Sequence, residues 1–191
     1  MLVTLAGTGK TGLQYGVDIA TMCLCSVDYE HHEIHGGSHY FVEDVADIPI
    51  NNVFDVQWTT PNTTKWAHFT FELNCEAETE WYIYEGATIV TPGTAITPVN
   101  NNRNSSNTSA ATIASIANAD VADANADTAT AAAAQLAHGI VGAGRNGGVI
   151  GRNREIMLKQ NTTYCMRAVA KAAGYVNFLM TWYEHTDKYT S

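Results

Sequence analysis

The chain has 191 residues, and 10 Lys+Arg against 19 Asp+Glu give it a formal net charge of −9. This length fits one domain, which can bury roughly 70% of the surface that its unfolded chain exposes. Charged residues make up 15% of the chain, against about 25% in ordinary soluble domains. This excludes a highly charged disordered protein and a long Glu/Lys helix. The cations are not grouped, so we expect no binding to nucleic acid through phosphate contacts.

The N-terminal residues and the cysteines indicate where the protein is made. No apolar run approaches the roughly 20 residues of a membrane span. Residues 1–10 lack the basic start and long apolar stretch of a secretory signal, so we expect neither feature. Cys23 and Cys25 are too close for a Cys-x-x-Cys pair, while Cys75 and Cys165 lie in strand-like segments. We therefore expect reduced, buried thiols in a protein made in a cytosol.

The first part of the chain, residues 1–28, shows little regular periodicity and is predicted to be an irregular arm. Within it, residues 15–27 allow two alternatives, a strand pair or an extended arm. Residues 7–11 read Gly-Thr-Gly-Lys-Thr, but a phosphate-binding loop needs a glycine where this chain has Thr4, followed by a helix that the next glycine discourages. We therefore predict no nucleotide site. Residues 29–191 are predicted to form a single β-sandwich domain.

Four of the seven histidines lie close together just after this arm. They are His31, His32, His35 and His39. The segment 32–35, His-Glu-Ile-His, is one residue shorter than the H-E-x-x-H motif, so its histidines cannot converge on a metal from consecutive helical turns. This segment therefore does not predict a zinc protease.

The spacing of the same histidines leaves one metal-site alternative open. His31 and His35 are four residues apart, but the two glycines that follow discourage a helix. On a strand, these two side chains lie on one face with Glu33, and a metal there needs a further ligand such as His39 or His185. We predict no metal and a histidine-rich surface or subunit interface, and we keep metal binding as the alternative.

Apolar and polar residues alternate in several segments, which is typical of half-buried strands. These segments are residues 53–58, 66–75, 81–84, 164–169 and 176–183. In the first, Phe54, Val56 and Trp58 share the inner face, and Asp55 and Gln57 take the outer one. Turn residues rich in Pro, Asn, Thr and Gly separate the segments. The pattern predicts a mainly β fold, an antiparallel β-sandwich or jelly-roll-like domain.

Residues 100–150 interrupt this alternation and are predicted to be a long loop or Ala/Gly-rich insertion. Residues 100–109 are polar and almost uncharged, whereas residues 117–137 are dominated by alanine. Alanine has the highest helix propensity, so a short helix is one alternative there. An irregular excursion or weak hairpin is the other, and the β context together with the Thr and Asn content favours it.

Six segments of the sequence, taken together, carry a resemblance to a known protein family. They are Tyr29–Phe41 (YEHHEIHGGSHYF), Thr60–His68 (TPNTTKWAH), Tyr82–Ala87 (YIYEGA), Asn100–Ser106 (NNNRNSS), Gly151–Glu155 (GRNRE) and Trp182–Thr186 (WYEHT). Together they resemble a family of small virion proteins of tailed bacteriophages, over most of residues 29–187. We associate this family with capsid decoration, or cement, proteins. The alanine-rich part departs from the family, where Thr-rich strands are commoner.

The resemblance implies a non-enzymatic structural protein without a cofactor. It implies a sandwich that assembles as a homotrimer, bridges capsomers of the major capsid protein and stabilises the phage head. Such a protein is made in the host bacterial cytoplasm and lies on the capsid surface of the virion. A weakly charged, aromatic-rich β domain is compatible with permanent interfaces of this kind.

Ten residues are candidates for the contact surface in this interpretation. They are His31, His32, His35, His39, Tyr82, Tyr84, Arg103, Arg152, Arg154 and Tyr183. A first alternative is a receptor- or glycan-binding domain of a head or tail fibre, in which exposed tyrosines stack on sugars; cross-strand aromatic pairing explains the same tyrosines without a ligand. A second alternative is a metal-dependent enzyme that uses the four clustered histidines.

Overall fold

The structure is a computed structural model that describes residues 3–5, 13–17, 24–25, 29–89, 92–120, 134–142, 145–150 and 155–186. Three short strands precede the only helix of the described residues, and they are β1 (Val3–Leu5), β2 (Leu13–Val17) and β3 (Leu24–Cys25). Helix α1 comprises Tyr29–Gly36. The strands that follow are β4 (His39–Ile48), β5 (Asn52–Thr59), β6 (Lys65–Cys75), β7 (Thr79–Glu85), β8 (Thr94–Ile96), β9 (Val99–Asn100), β10 (Thr112–Asp120), β11 (Ala134–Val141), β12 (Arg145–Ile150), β13 (Ile156–Leu158), β14 (Thr163–Ala170) and β15 (Gly174–Thr186).

The strands after α1 form two antiparallel sheets with jelly-roll topology. The front sheet has the order β12-β6-β15-β4-β9, with β13 also on β6, and the back sheet has the order β11-β7-β14-β5-β10-β8. The jelly roll has eight strands, which here are, in chain order, β4, β5, β6, β7, β11, β12, β14 and β15. If these are numbered one to eight, strands one, eight, three and six lie side by side in the front sheet. The back sheet contains strands two, seven, four and five. This arrangement is the jelly roll, and it confirms the predicted mainly β sandwich.

The N-terminal strands form a small sheet of their own, in the order β1-β2-β3. Strand β2 pairs antiparallel with β3, as one of the two alternatives for residues 15–27 predicted. Most of the predicted arm, residues 1–28, lies outside the described residues.

The prediction of a loop or insertion over residues 100–150 is wrong for three segments, because β10, β11 and β12 all belong to the two sheets. Strand β10 pairs with β5 and β8, and β11 pairs with β7. Ile113 on β10 is 4% exposed and belongs to the core. Cross-strand pairing and core burial outweigh the helix preference of alanine, which is worth less than about 1 kcal/mol per residue. Residues 121–133, within the predicted alanine-rich stretch, lie outside the described residues.

The core between the sheets is rich in aromatic side chains. The ring centroids of Trp58 lie 4.8 Å from those of both Phe69 and Trp182. Phe54 and Phe178 meet edge-on at 5.2 Å. The alternation predicted for residues 66–75 is confirmed, because every second residue of β6 is buried.

The outer face of β5 is buried, contrary to the prediction that Asp55 and Gln57 lie on a solvated face. Asp55 is 0% exposed and accepts two hydrogen bonds from Arg167, from Nε at 2.9 Å and from Nη2 at 2.8 Å. Burial acts to lower the pKa of Arg167, but the hydrogen bonds and charge of Asp55 outweigh it and raise the pKa. In β5, apolar and polar residues therefore alternate although both faces are buried. The outer face buries a charged pair.

Helix α1 contradicts the expectation that the glycines after His35 prevent a helix. Gly37 has φ +71°, the left-handed conformation that favours glycine. Its N–H donates to the carbonyl of Ile34 at 3.0 Å, and the N–H of Ser38 donates to that of Glu33 at 3.0 Å. These two bonds form a Schellman motif. The glycine therefore ends the helix rather than excluding it, and it turns the chain into β4.

The described residues contain no helix with the length and apolar character needed to span a bilayer. The prediction of buried, reduced thiols is confirmed for Cys75 and Cys165. Burial raises the pKa of the Cys75 thiol.

Candidate functional site

A pocket of about 220 Å³ lies on the outer face of the front sheet, next to α1. We call it the His–Glu pocket. Glu30 of α1, His39 of β4 and Glu155, which directly precedes β13, line it. The remaining lining residues are His68 and Thr70 of β6 and Thr181, Trp182 and Tyr183 of β15. Helix α1 and three neighbouring strands thus build this site.

The strand register brings the central side chains of the pocket into one row. Tyr183 on β15 lies opposite His39 on β4 and opposite His68 on β6. The rings of His68 and Tyr183 stack with centroids 4.6 Å apart, and those of His39 and Tyr183 face each other at 6.4 Å. Directly opposite side chains on neighbouring strands are close enough to interact, which explains the row.

The carboxylate of Glu155 organises one side of the pocket. Its Oε1 accepts hydrogen bonds from His68 Nδ1 at 2.5 Å and from the Tyr183 hydroxyl at 2.6 Å. A carboxylate only accepts, so His68 Nδ1 carries the proton of this hydrogen bond. His185 Nε2 lies 2.7 Å from His68 Nε2, within hydrogen-bond distance. A hydrogen-bonded chain therefore runs from His185 through His68 to Glu155.

The opposite side of the pocket contains a second imidazole–carboxylate pair. His39 is 2% exposed, and its Nε2 donates to Glu30 Oε1 at 2.9 Å. The other ring nitrogen of His39 is Nδ1. That atom is buried and has no hydrogen-bond partner. Buried polar atoms without partners are uncommon, so His39 Nδ1 is an exception among the described side chains.

The four clustered histidines do not converge on one point. His31 and His35 are exposed on α1, with their Nε2 atoms 3.0 Å apart. The side chain of His32 is 69% exposed, with Nδ1 3.4 Å from Glu33 Oε1. Only His39 enters the pocket. Across the described ranges, no group of three or more His, Cys, Asp or Glu side chains is arranged to hold a metal ion.

The candidate tyrosines lie on different sheets. Tyr82 and Tyr84 stack at 5.8 Å on the outer face of the back sheet, and His138 stacks on Tyr82 at 6.4 Å. Burial raises the pKa of both tyrosines, and the hydrogen bond from Tyr82 to Glu80 adds to the shift at Tyr82. Tyr183 is 8% exposed in the His–Glu pocket of the front sheet. The three tyrosines therefore do not lie on a common surface.

The loop after β9 is tied to the end of α1. The Gly37 carbonyl accepts hydrogen bonds from the Tyr40 hydroxyl at 3.3 Å, from Asn100 Nδ2 at 2.9 Å and from Asn107 Nδ2 at 3.2 Å. Arg103 is exposed, and its Nη1 donates to the Asn100 carbonyl at 3.4 Å. These contacts give Arg103 a place in the loop structure. Arg152 and Arg154, the other candidate arginines, lie outside the described residues.

Sequence reasoning missed two residues that organise the pocket, His68 and Glu155. His185 is predicted only as a further ligand of the alternative metal site. All three are separated from the histidine cluster by many residues. The alternation in β6 predicts only that the His68 side chain lies on the outer face of the strand. Strand partners and register are long-range properties, so a local pattern does not show that His68 faces Tyr183.

Comparison of the chain with protein-family models, with curated proteins and with solved structures found no match. A jelly roll hosts many unrelated functions. The function is therefore inferred from surfaces, pockets and individual side chains.

Tyr40, next to the pocket residue His39, is expected to make the fold sensitive to alkali. Burial, with a smaller contribution from the nearby Glu184, raises the pKa of Tyr40 from 10.0 to about 12. The unfolded chain therefore loses the phenol proton first as pH rises. The resulting stabilisation is complete below about pH 10 and is lost as pH approaches about 12.

Tyr40→Phe is expected to remove this part of the alkaline destabilisation. Between pH 9 and pH 11.5, the free energy of unfolding of the variant should fall by about 2 kcal/mol less than that of the wild type. Urea unfolding at the two pH values measures the difference. An identical pH dependence in the two proteins contradicts the assignment to Tyr40.

Proposed function

We propose that the chain is a non-enzymatic structural virion protein of the capsid decoration kind. In this proposal it assembles as a homotrimer, binds the major capsid protein and stabilises the phage head. The resemblance of its six sequence segments to tailed-phage virion proteins supports the proposal. The jelly-roll fold, which viral capsid domains also use, is compatible with it.

The observation that carries the proposal is a set of exposed apolar side chains at one end of the front sheet. Val45 on β4 and Tyr175 on β15 are each 57% exposed, and Ile50, just after β4, is 55% exposed. Val45 pairs with Asn177 and Tyr175 pairs with Asp47, so the two exposed side chains are diagonal neighbours on the outer face. Grouped exposed apolar residues are typical of protein contact sites.

The test is binding to capsids. The purified chain should bind expanded capsids of the phage that encodes it and co-sediment with them, and mass spectrometry should find it in virions. The double variant Val45→Glu/Tyr175→Glu is expected to reduce the bound fraction at least about tenfold, because each buried charge costs more than about 1 kcal/mol. Leu136→Glu/Ile140→Glu is the matched control, since it adds the same two charges at exposed positions of β11 in the back sheet, 39% and 66% exposed. Failure of the wild-type chain to bind capsids, together with its absence from virions, overturns the proposal.

The trimer is tested separately by light scattering after gel filtration. The expected mass is three times the chain mass of 20.6 kDa. A monomer that does bind capsids contradicts the trimer and leaves the capsid assignment in place.

A second candidate function is glycan binding, and the aromatic stack on the back sheet favours it. Tyr82, Tyr84 and His138 form a ladder of nearly parallel rings, with interplanar angles of 16° and 18°. The faces of such rings can pack on the apolar faces of sugars. A glycan array tests this function. Signals that disappear with Tyr82→Ala support it, and an array without signals counts against it.

A further inference from the structure

Helix α1 carries two exposed histidines on consecutive turns. His31 and His35 are four residues apart, and residues at this spacing lie one above the other on the same helix face. Their Nε2 atoms lie 3.0 Å apart. Gly37 ends the helix after these residues rather than excluding it, so α1 keeps both rings together on its surface.

The two rings meet at an angle. Their centroids are 4.5 Å apart, and their planes are inclined by 70°. If the two Nε2 atoms pointed straight at each other across 3.0 Å, the ring centroids would be farther apart than this. Two imidazoles that bind one ion through neighbouring coordination positions have an angled arrangement of this kind.

The distance between the nitrogens indicates which ions fit the pair. An ion that binds two imidazole nitrogens at about 2.0–2.1 Å separates them by about 2.9 Å when the two ligands are at right angles. A tetrahedral angle separates them by about 3.3 Å. The observed 3.0 Å is closer to the first value. Ligands at right angles are typical of Cu²⁺ and Ni²⁺ with nitrogen ligands, so the spacing favours these ions.

The surroundings of the pair favour a cation and leave part of its coordination sphere open. His35 lies in the last turn of α1, where the helix dipole is negative. The net charge of −9 also favours the approach of a cation. In the described ranges, no third His, Cys, Asp or Glu side chain joins the pair to hold a metal ion. The other coordination positions of a bound ion are therefore left to water.

We propose that His31 and His35 bind one divalent transition-metal ion, Cu²⁺ or Ni²⁺, through their Nε2 atoms. Their hydrogen bond uses one N–H and one lone pair, whereas an ion needs both lone pairs, so the donating ring carries its proton on Nδ1 in the complex. The second imidazole binds an ion that the first already holds, which raises the affinity. This site is narrower than the metal alternative left open by the sequence, which needed His39 or His185 as a further ligand.

The first experiment titrates Ni²⁺ into the full chain without a histidine tag and measures binding by calorimetry. His31→Ala and His35→Ala each leave one imidazole, so the affinity should fall at least about tenfold in both variants. His32→Ala is the matched control, because it removes a histidine of the same helix whose side chain is 69% exposed. Its affinity should change by less than about twofold. No saturation of the wild type, or equal affinities of His31→Ala and His32→Ala, overturns the proposal.

The second experiment compares ions at the same pH. Cu²⁺ should bind more tightly than Ni²⁺ and Zn²⁺, and Mg²⁺ should show no saturation, because imidazole nitrogens prefer transition metals. Binding of Mg²⁺ as tight as that of Ni²⁺ means general attraction to a negative surface and overturns the proposal.

The third experiment follows helix α1 itself. An ion held by both rings links two consecutive turns, so saturating Ni²⁺ should slow amide hydrogen exchange in residues 29–38 at least about threefold. Mass spectrometry should show this effect in the wild type and in His32→Ala but not in His31→Ala. Unchanged exchange in the wild type at saturation overturns the two-nitrogen site. The inference goes beyond the proposed function and does not rest on it, since Ni²⁺ binding can fail while capsid binding succeeds, and the reverse.

Discussion

Replacing Arg167 with methionine is expected to lower the free energy of unfolding by about 3–5 kcal/mol. Arg167 holds the carboxylate of Asp55 through two hydrogen bonds, and Asp55 is completely buried. The substitution removes this bidentate pair but leaves the carboxylate in its buried position. Urea unfolding of the wild type and the variant measures the loss.

Two further variants show whether burial is the cause. Asp55→Val/Arg167→Met removes both charges and is expected to recover at least about half of the loss, since apolar replacements of buried ion pairs are often neutral. Lys159→Met breaks the exposed pair with Glu85, in which the lysine side chain is 70% exposed, and should cost less than about 1 kcal/mol. Equal effects of Arg167→Met and Lys159→Met contradict the role given to burial.

Trp58→Ala is expected to cost about 3–5 kcal/mol, because it opens a large cavity in the aromatic core. Trp58 is 1% exposed and packs against Phe69 and Trp182. Its indole Nε1 is buried and has no hydrogen-bond partner, so the loss reflects packing rather than a broken hydrogen bond. Thermal and urea unfolding measure the change.

The smaller substitution Trp58→Phe separates packing from the polar group. It leaves a smaller cavity and also removes the unpaired indole N–H, so the expected cost is about 1–2 kcal/mol. Tyr175→Ala is the control at an exposed aromatic position, with an expected change of less than about 0.5 kcal/mol. A cost of Trp58→Ala no greater than that of Tyr175→Ala contradicts the central position of Trp58.

The strand predictions succeeded where one face of a strand is buried and the other is partly exposed. In β6 the alternation of Phe69, Phe71 and Leu73 with polar residues matches the observed burial. The prediction failed in β5, where Asp55 is buried by tertiary contacts despite its polar type. The alternation of every second residue shows which side chains share a face of the strand. It does not show what covers that face.

Helix α1 shows a second limit of local patterns. The glycines at positions 36 and 37 argue against a helix when they are taken as interior residues. In the fold, Gly37 lies outside the helix and supplies the left-handed residue that ends it. Glycine therefore destabilises a helix when it lies inside it, and favours the end of the helix when it lies just after the last helical residue.

The candidate site divides in the same way. Tyr183 and His39 were selected from the sequence and do lie together. Their partners His68 and Glu155 were not selected. Glu155 Oε1 is 2.5 Å from His68 Nδ1 although the residues are 87 positions apart in the chain.

Hydrophobic periodicity and turn residues by themselves determined the fold class, because each strand must bury one apolar face whatever its partners are. Only the tertiary structure decided the strand order, the place of residues 112–120 and 134–141 within the sheets, and the assembly of the His–Glu pocket. The physical reason is that pairing energy depends on which strands become neighbours, and this depends on contacts far apart in the chain.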